Sequence, residues 1–135
     1  MKSSSGPLYA DVDILYAQRK PSDWLQPVAN HALQQKDIIT SIVAITELEL
    51  VSTRDFSEAF ANDTLDWLKK HTNIQLVAFT EAIQLRATAL RKEYGIGIFD
   101  AIHVATAQEH NAIIITTDHI IHRIPCESMD PRDIK

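Results

Sequence analysis

The sequence is poor in cysteine, in glycine and in positive charge. A single cysteine, Cys126, stands among 135 residues, so no disulfide can form within the chain. The Gly95-Ile96-Gly97 step lacks the remainder of a dinucleotide-binding fingerprint, and the chain has no P-loop. The net charge of −5 argues against simple electrostatic capture of nucleic acid. Disulfide scaffolds and the common nucleotide-binding motifs are therefore excluded.

Long apolar runs are missing too. No run approaches the ~20 residues that a membrane-spanning helix needs, and residues 1–6 lack the apolar region of a signal peptide. We therefore expect a cytoplasmic protein without a membrane partner. The composition, 45% hydrophobic and 23% charged, is typical of a globular domain. We expect residues 1–7 to form a flexible lead and residues 8–135 to form a single domain.

Short apolar segments alternate with segments of helical period along the chain. Ser41 and Thr80 are predicted to cap helices, because serine and threonine are favoured at that position. The alternation predicts an α/β fold, a three-layer α/β/α sandwich with a mostly parallel central sheet. Strands are predicted at 8–10, 37–40, 74–79, 112–116 and 125–129, and helices from a turn at 11–16 and at 23–35, 41–52, 57–70, 81–94 and 100–110.

Four acidic residues stand at positions where such a sheet would bring functional groups together. Asp11 directly follows the first predicted strand, and Glu47 lies in the helix after the second. Asp100 heads a helix of small residues, and Asp118 follows the strand at 112–116. Functional residues in parallel sheets collect beyond the carboxyl ends of the strands. We therefore predict that the four carboxylates converge on one pocket at that edge.

Each acid also has a purely structural explanation. Asp118 could close a turn after a strand, Asp100 could be a helix N-cap, and Asp11 or Asp13 could cap the first helix. Glu47 is harder to explain in this way, because its helical neighbours are apolar. A carboxylate on an apolar face must be paired, protonated or bound to a metal.

The four acids together favour a metal site. Without a counter-charge their mutual repulsion would raise their pKa values and destabilise the fold. Mg²⁺ or Mn²⁺, held by carboxylate oxygens, removes that problem and can activate a water molecule. The hydroxyl of Thr116 could either stabilise the turn before Asp118 or support the site by binding a metal-bound water. His103 lies one turn after Asp100 and could face the site, but a position on the helix surface is the preferred interpretation.

With these residues in place, the chain from residue 8 to residue 131 resembles a PIN domain, and most closely the single-domain ribonucleases of the VapC toxin type. The segment Asp-Val-Asp-Ile-Leu at 11–15 is similar to the family's opening element, with Asp13 where asparagine is more usual. Glu47 matches an acid early in a helix. The alanine-rich helix opening at Asp100 and the Thr-Thr-Asp step ending at Asp118 match the remaining two acids.

The resemblance implies a metal-dependent endoribonuclease in which Asp11, Glu47, Asp100 and Asp118 hold Mg²⁺ or Mn²⁺. It also implies a homodimer and a small antitoxin protein as partner. The helix at 57–70 has apolar residues on more than one narrow face, which suits a dimer surface; they are Phe60, Leu65, Trp67 and Leu68.

Two other functions remain open at this stage. One is a non-catalytic PIN module that binds RNA or protein, although the retention of four acids argues against it. The other is a receiver-like signalling domain with an acidic Mg²⁺ pocket. That fold would need an aspartate after the third strand and a lysine after the fifth, and the sequence has Thr80-Glu81 and no such lysine there.

Overall fold

The computed structural model describes residues 6–19, 24–35, 37–70 and 73–134. Short strands alternate with helices along these ranges, as the hydrophobic pattern predicts. A short 3-10 helix follows the last strand. The strands are β1 (Leu8–Ala10), β2 (Ile38–Ser41), β3 (Ile74–Val77), β4 (Ile113–Ile115) and β5 (Ser128–Met129), and the helices are α1 (Val12–Arg19), α2 (Gln26–Leu33), α3 (Ile42–Asp55), α4 (Glu58–Lys70), α5 (Glu81–Tyr94), α6 (Ile98–Glu109) and α7 (His119–His122).

The five strands form one parallel sheet in the order β3-β2-β1-β4-β5. The predicted α/β fold with a mostly parallel sheet is therefore confirmed. β1 lies at the centre, where Leu8 pairs with Ile38 on one side and with Ile113 on the other. All of the strands point the same way, so their carboxyl ends meet at one edge of the sheet.

Two hydrophobic cores cover the two faces of this sheet. Side chains alternate between faces along a strand, and Tyr9 belongs to one core while its neighbour Ala10 belongs to the other. The first core includes buried residues of α5, α6 and α7. The second includes residues of α1, α2, α3 and α4. Helices thus flank both sides of the sheet, which produces the three layers.

Helix boundaries follow local chemistry at several points. Ser41 caps α3 by accepting a hydrogen bond from the Val43 amide at 2.9 Å, and Thr80 caps α5 through the Ile83 amide at 3.2 Å. α5 ends at Gly95, whose φ of 68° is left-handed, a conformation that glycine adopts without a steric penalty. Both predicted caps are therefore correct.

Other boundaries differ from the prediction. α6 begins at Ile98 with Gly97 as its N-cap, so Asp100 lies inside the first turn and does not cap the helix. β3 ends at Val77, before the predicted limit at 79. The predicted helix start at 23 and residues 1–5 of the predicted lead lie outside the described ranges. Within those ranges, no helix has the length and apolar content needed to cross a membrane.

Candidate functional site

The topology brings all four candidate acids toward the carboxyl edge of the sheet. Asp11 is the residue after β1, and its Oδ1 accepts a hydrogen bond from the Ile14 amide at 3.2 Å, near the start of α1. Glu47 lies in α3, the helix that leaves β2 at this edge. Asp100 lies in the first turn of α6, which runs back from the edge toward the start of β4. Asp118 follows β4 and caps α7.

Asp11 is almost fully buried, with 8% of its surface exposed. Its pKa is raised from 3.8 to about 7, mainly by burial and next by the negative charge of Asp13. Glu47 raises this pKa further, whereas His103 and the hydrogen bond from the Ile14 amide oppose the shift. Ionisation of Asp11 therefore costs free energy, because the side chain is buried and lies near other negative charges.

Asp100 also lies near negatively charged side chains of this edge. Its pKa is raised by partial burial first, and then by the charge of Asp118. Glu47 and Asp13 add smaller contributions in the same direction, and His103 again opposes them. The carboxylates of this edge are thus close enough to influence one another electrostatically.

His103 is the residue that sequence reasoning misplaced. It is 3% exposed and not on the helix surface. Its Nε2 lies 2.8 Å from Oε1 of Glu47, and its Nδ1 lies 2.6 Å from the hydroxyl oxygen of Tyr9. The sequence signal that could have found it is the run of small and apolar residues from Ala101 to Ala107, in which Thr106 is the one other polar residue. In the structure every residue of this run is buried. A histidine in such a segment needs polar partners.

Thr116 and Asp118 form a compact turn after β4. The Thr116 hydroxyl accepts a hydrogen bond from the Asp118 amide at 3.0 Å, and Oδ1 of Asp118 accepts one from the Ile120 amide at 2.9 Å. The turn predicted at Asp118 is therefore present, and Oδ1 of the same side chain also caps α7, which was not predicted. The negative charge of the same side chain still acts on Asp100.

The chemistry of this donor set fits a hard divalent cation, although the side chains are not yet gathered around one point. In the described part of the chain, no three His, Cys, Asp or Glu side chains are arranged to hold a metal ion. Asp11, Glu47 and Asp118 each accept a hydrogen bond from the protein instead. Carboxylate oxygens are the ligands that Mg²⁺ prefers, and a cation would offset the repulsion that, after burial, raises the pKa values of Asp11 and Asp100.

A second surface feature, apolar in character, lies beside α3 and α4. It is a cavity of about 490 Å³, here named the α3–α4 groove. Two of its side chains, Ile42 and Leu76, are 45% and 47% exposed. Of the apolar α4 residues singled out in the sequence, Leu65 and Leu68 line the groove, whereas Phe60 and Trp67 pack on Arg19. The lining consists of Ile42, Ile45, Leu65, Leu68, Lys69, Ile74 and Leu76.

Comparison with protein family models identifies the family of this chain. The family model of the PIN domain matches residues 12–125. The chain belongs to the PIN domain family. Comparison with curated protein sequences found no match.

This PIN domain is also similar to several solved structures. A toxin-antitoxin complex from Klebsiella pneumoniae matches with a TM-score of 0.72 and 24% identity, over 95% of this chain and 99% of that chain. VapC20 of Mycobacterium tuberculosis, described as a toxin that cleaves the sarcin-ricin loop, matches with a TM-score of 0.72 and 15% identity, over 85% and 92%. FitAcB of Neisseria gonorrhoeae matches with a TM-score of 0.70 and 18% identity, over 94% and 99%. At these identities the likeness shows a shared fold.

Proposed function

We propose that this PIN domain is an endoribonuclease that hydrolyses RNA phosphodiester bonds with Mg²⁺ or Mn²⁺. The observation that carries the proposal is the group of carboxylates at the carboxyl edge of the sheet, in which the pKa values of Asp11 and Asp100 are both raised. Such a group destabilises the fold unless a cation joins it. Perturbed pKa values of this kind are concentrated at functional sites.

The acids of the edge have two tasks in this proposal. Asp11, Glu47, Asp100 and Asp118 supply the oxygen ligands, and Asp13, which acts electrostatically on Asp11 and Asp100, adds negative charge at the rim. When bound, the cation supplies a water of lowered pKa and stabilises negative charge on the phosphate. Thr116 fixes the backbone that carries Asp118.

We further propose that the protein is the toxin of a toxin–antitoxin pair, is cytoplasmic and forms a homodimer. Support for the antitoxin comes from the similar Klebsiella pneumoniae structure, which is described as a toxin-antitoxin complex. Support for the dimer comes from the α3–α4 groove, whose apolar lining includes Leu65 and Leu68 of α4. A contiguous apolar depression of this kind is a frequent feature of protein interfaces.

The test of the nuclease is a comparison of two aspartate-to-asparagine variants on short single-stranded and hairpin RNAs. Asp100→Asn keeps the side-chain shape and removes one ligand charge. We expect it to lower Mg²⁺-dependent cleavage by more than about 100-fold, because losing even an outer-shell partner of a metal costs about 10–100-fold. The control is Asp66→Asn, an exposed position on α4, which should cleave like the wild type.

Thermal unfolding in EDTA separates this effect from a folding defect. Because Asp100 does not cap α6 and its pKa is raised, Asp100→Asn should be at least as stable as the wild type without metal. Cleavage that persists in Asp100→Asn, or in wild type stripped of metal, would refute the proposed mechanism. A wild type that binds RNA without cutting it at any metal concentration would instead indicate a non-catalytic PIN module.

A further inference from the structure

Glu47 is held by a chain of two hydrogen bonds that starts on the central strand. Its Oε1 lies 2.8 Å from Nε2 of His103, and Nδ1 of His103 lies 2.6 Å from the Tyr9 oxygen. Tyr9 itself is fully buried. The three residues come from β1, α3 and α6, so the chain ties together elements that surround the acidic edge.

Counting donors and acceptors fixes where the protons lie. The Glu47 carboxylate can only accept, so Nε2 of His103 donates across the 2.8 Å contact. The ordinary pKa of a tyrosine hydroxyl is about 10, so the phenol of Tyr9 keeps its proton at neutral pH. The hydroxyl therefore donates to Nδ1 of His103, which lies 2.6 Å away. A ring that accepts at Nδ1 carries its hydrogen on Nε2 and donates it to the Glu47 carboxylate.

From this arrangement we propose that Tyr9 is a positioning residue for the metal ligand Glu47, acting through the tautomer of His103. The Tyr9 hydroxyl selects the Nε2–H form of the ring, which holds Oε1 of Glu47 and leaves Oε2 for the cation. The inference rests on the proposed function, because it takes Glu47 as a ligand. Outer-shell partners that fix the orientation of a ligand carry much of a site's metal affinity.

The experiment compares Tyr9→Phe with Tyr16→Phe. Tyr9→Phe removes one oxygen and leaves the aromatic ring, whose centroid lies 5.6 Å from the centroid of the His103 ring. The control removes a hydroxyl that donates to Asp55, away from the acidic edge. Two properties are measured at about pH 8, above the ordinary pKa of histidine. Long-range ¹H–¹⁵N spectra of the metal-free proteins report the His103 tautomer, and electron paramagnetic resonance of free Mn²⁺ reports the affinity.

Wild type and Tyr16→Phe should show the Nε2–H tautomer and the same Mn²⁺ affinity. Tyr9→Phe should lose the single tautomer and bind Mn²⁺ about 10–100-fold more weakly. Its RNA cleavage should recover when Mn²⁺ is raised by the same factor, which a general folding defect would not allow. His103→Ala should weaken binding as well, and the milder Tyr9→Phe keeps the test valid if that variant does not fold.

The outcomes separate this inference from the proposed function. A wild-type ring with the Nδ1–H form or with both nitrogens protonated, or a Tyr9→Phe variant with unchanged Mn²⁺ affinity, overturns the positioning role even if RNA is cleaved. Weakened Mn²⁺ binding in Tyr9→Phe with no RNA cleavage by any variant supports the positioning role and removes the nuclease. A wild type that binds no Mn²⁺ overturns both.

Discussion

The acidic carboxyl edge and the α3–α4 groove share helix α3 but differ in chemistry, since the edge carries negative charge and the groove is apolar. Glu47 of α3 belongs to the edge, and Ile45, two residues earlier, lines the groove. Residues two apart on a helix do not face each other. At the edge, burial and then neighbouring negative charges raise the pKa values of Asp11 and Asp100. In the groove, large apolar side chains remain exposed.

The difference indicates which class of partner suits each region. A cation offsets the repulsion between neighbouring carboxylates, whereas the apolar surface of another protein removes exposed apolar side chains from water. One helix therefore presents a metal ligand to one side and a docking surface to the other. Three predictions, taken from the largest expected effect to the smallest, test whether the two regions differ in this way.

The largest effect concerns the stability of the metal-free edge. The pKa of Asp11 rises from 3.8 to about 7 on folding, mainly through burial. Between these values the folded protein binds more protons than the unfolded one, so this contribution to stability falls as pH rises toward 7. At 1.36 kcal/mol per pKa unit the fall is at most a few kcal/mol. Asp11→Asn should remove it, keep the acceptor for the Ile14 amide and stabilise the protein above about pH 7.

Asp130→Asn is the matched control, measured alongside by urea unfolding in EDTA across this pH range. Asp130 also caps a helical turn, but hydrogen bonds from Arg132 lower its pKa to about 2. Its stabilising contribution is present at neutral pH and is lost as pH falls toward that value. Asp130→Asn should therefore destabilise the protein at neutral pH. If both variants changed stability with the same sign, ionisation of Asp11 would not be what lowers the stability of the acidic edge.

A smaller effect is expected in the groove. Leu76 lies on the edge strand β3 and is 47% exposed. Leu76→Glu should weaken the proposed homodimer by about 30-fold or more, the cost typical of an interface hot spot of at least 2 kcal/mol. Leu85→Glu, on α5 and 65% exposed, should leave the dimer unchanged. Sedimentation equilibrium measures both. A wild type that stays monomeric at high concentration would remove the dimer altogether.

The smallest effect separates the two tasks of Asp118. Its side chain caps α7, so Asp118→Ala should lower the free energy of unfolding by about 1 kcal/mol, whereas Asp118→Asn should keep it nearly unchanged. Both variants should lose Mn²⁺ affinity, since both lack the charge. Thermal unfolding and metal titration report the two properties separately. Equal destabilisation by alanine and asparagine would mean that capping does not explain the position.

The sequence predicted the fold well because its signals are local. Alternating short apolar runs indicate a parallel sheet, and Ser41 and Thr80 mark helix starts through contacts two or three residues away. His103 was misplaced because its partner Tyr9 lies 94 residues away in the sequence. Asp100 was assigned a possible cap because the helix start at Gly97 has no side-chain cap to mark it. The α3–α4 groove could not be predicted, since apolar residues of α3 and β3 resemble core residues until their packing is known.

The position of β1 at the centre of the sheet has a consequence for the order of synthesis. Leu8 meets Ile38 soon after both are made, but its other neighbour, Ile113, comes near the end of the described chain. A nascent chain that stops short of Asp100 has an open edge on its central strand and lacks two of its four acids. Long-range strand pairing of this kind is also slow to form. For an enzyme of the proposed type, the ribosome and the message that produce it would be protected from its activity until synthesis has passed Asp118.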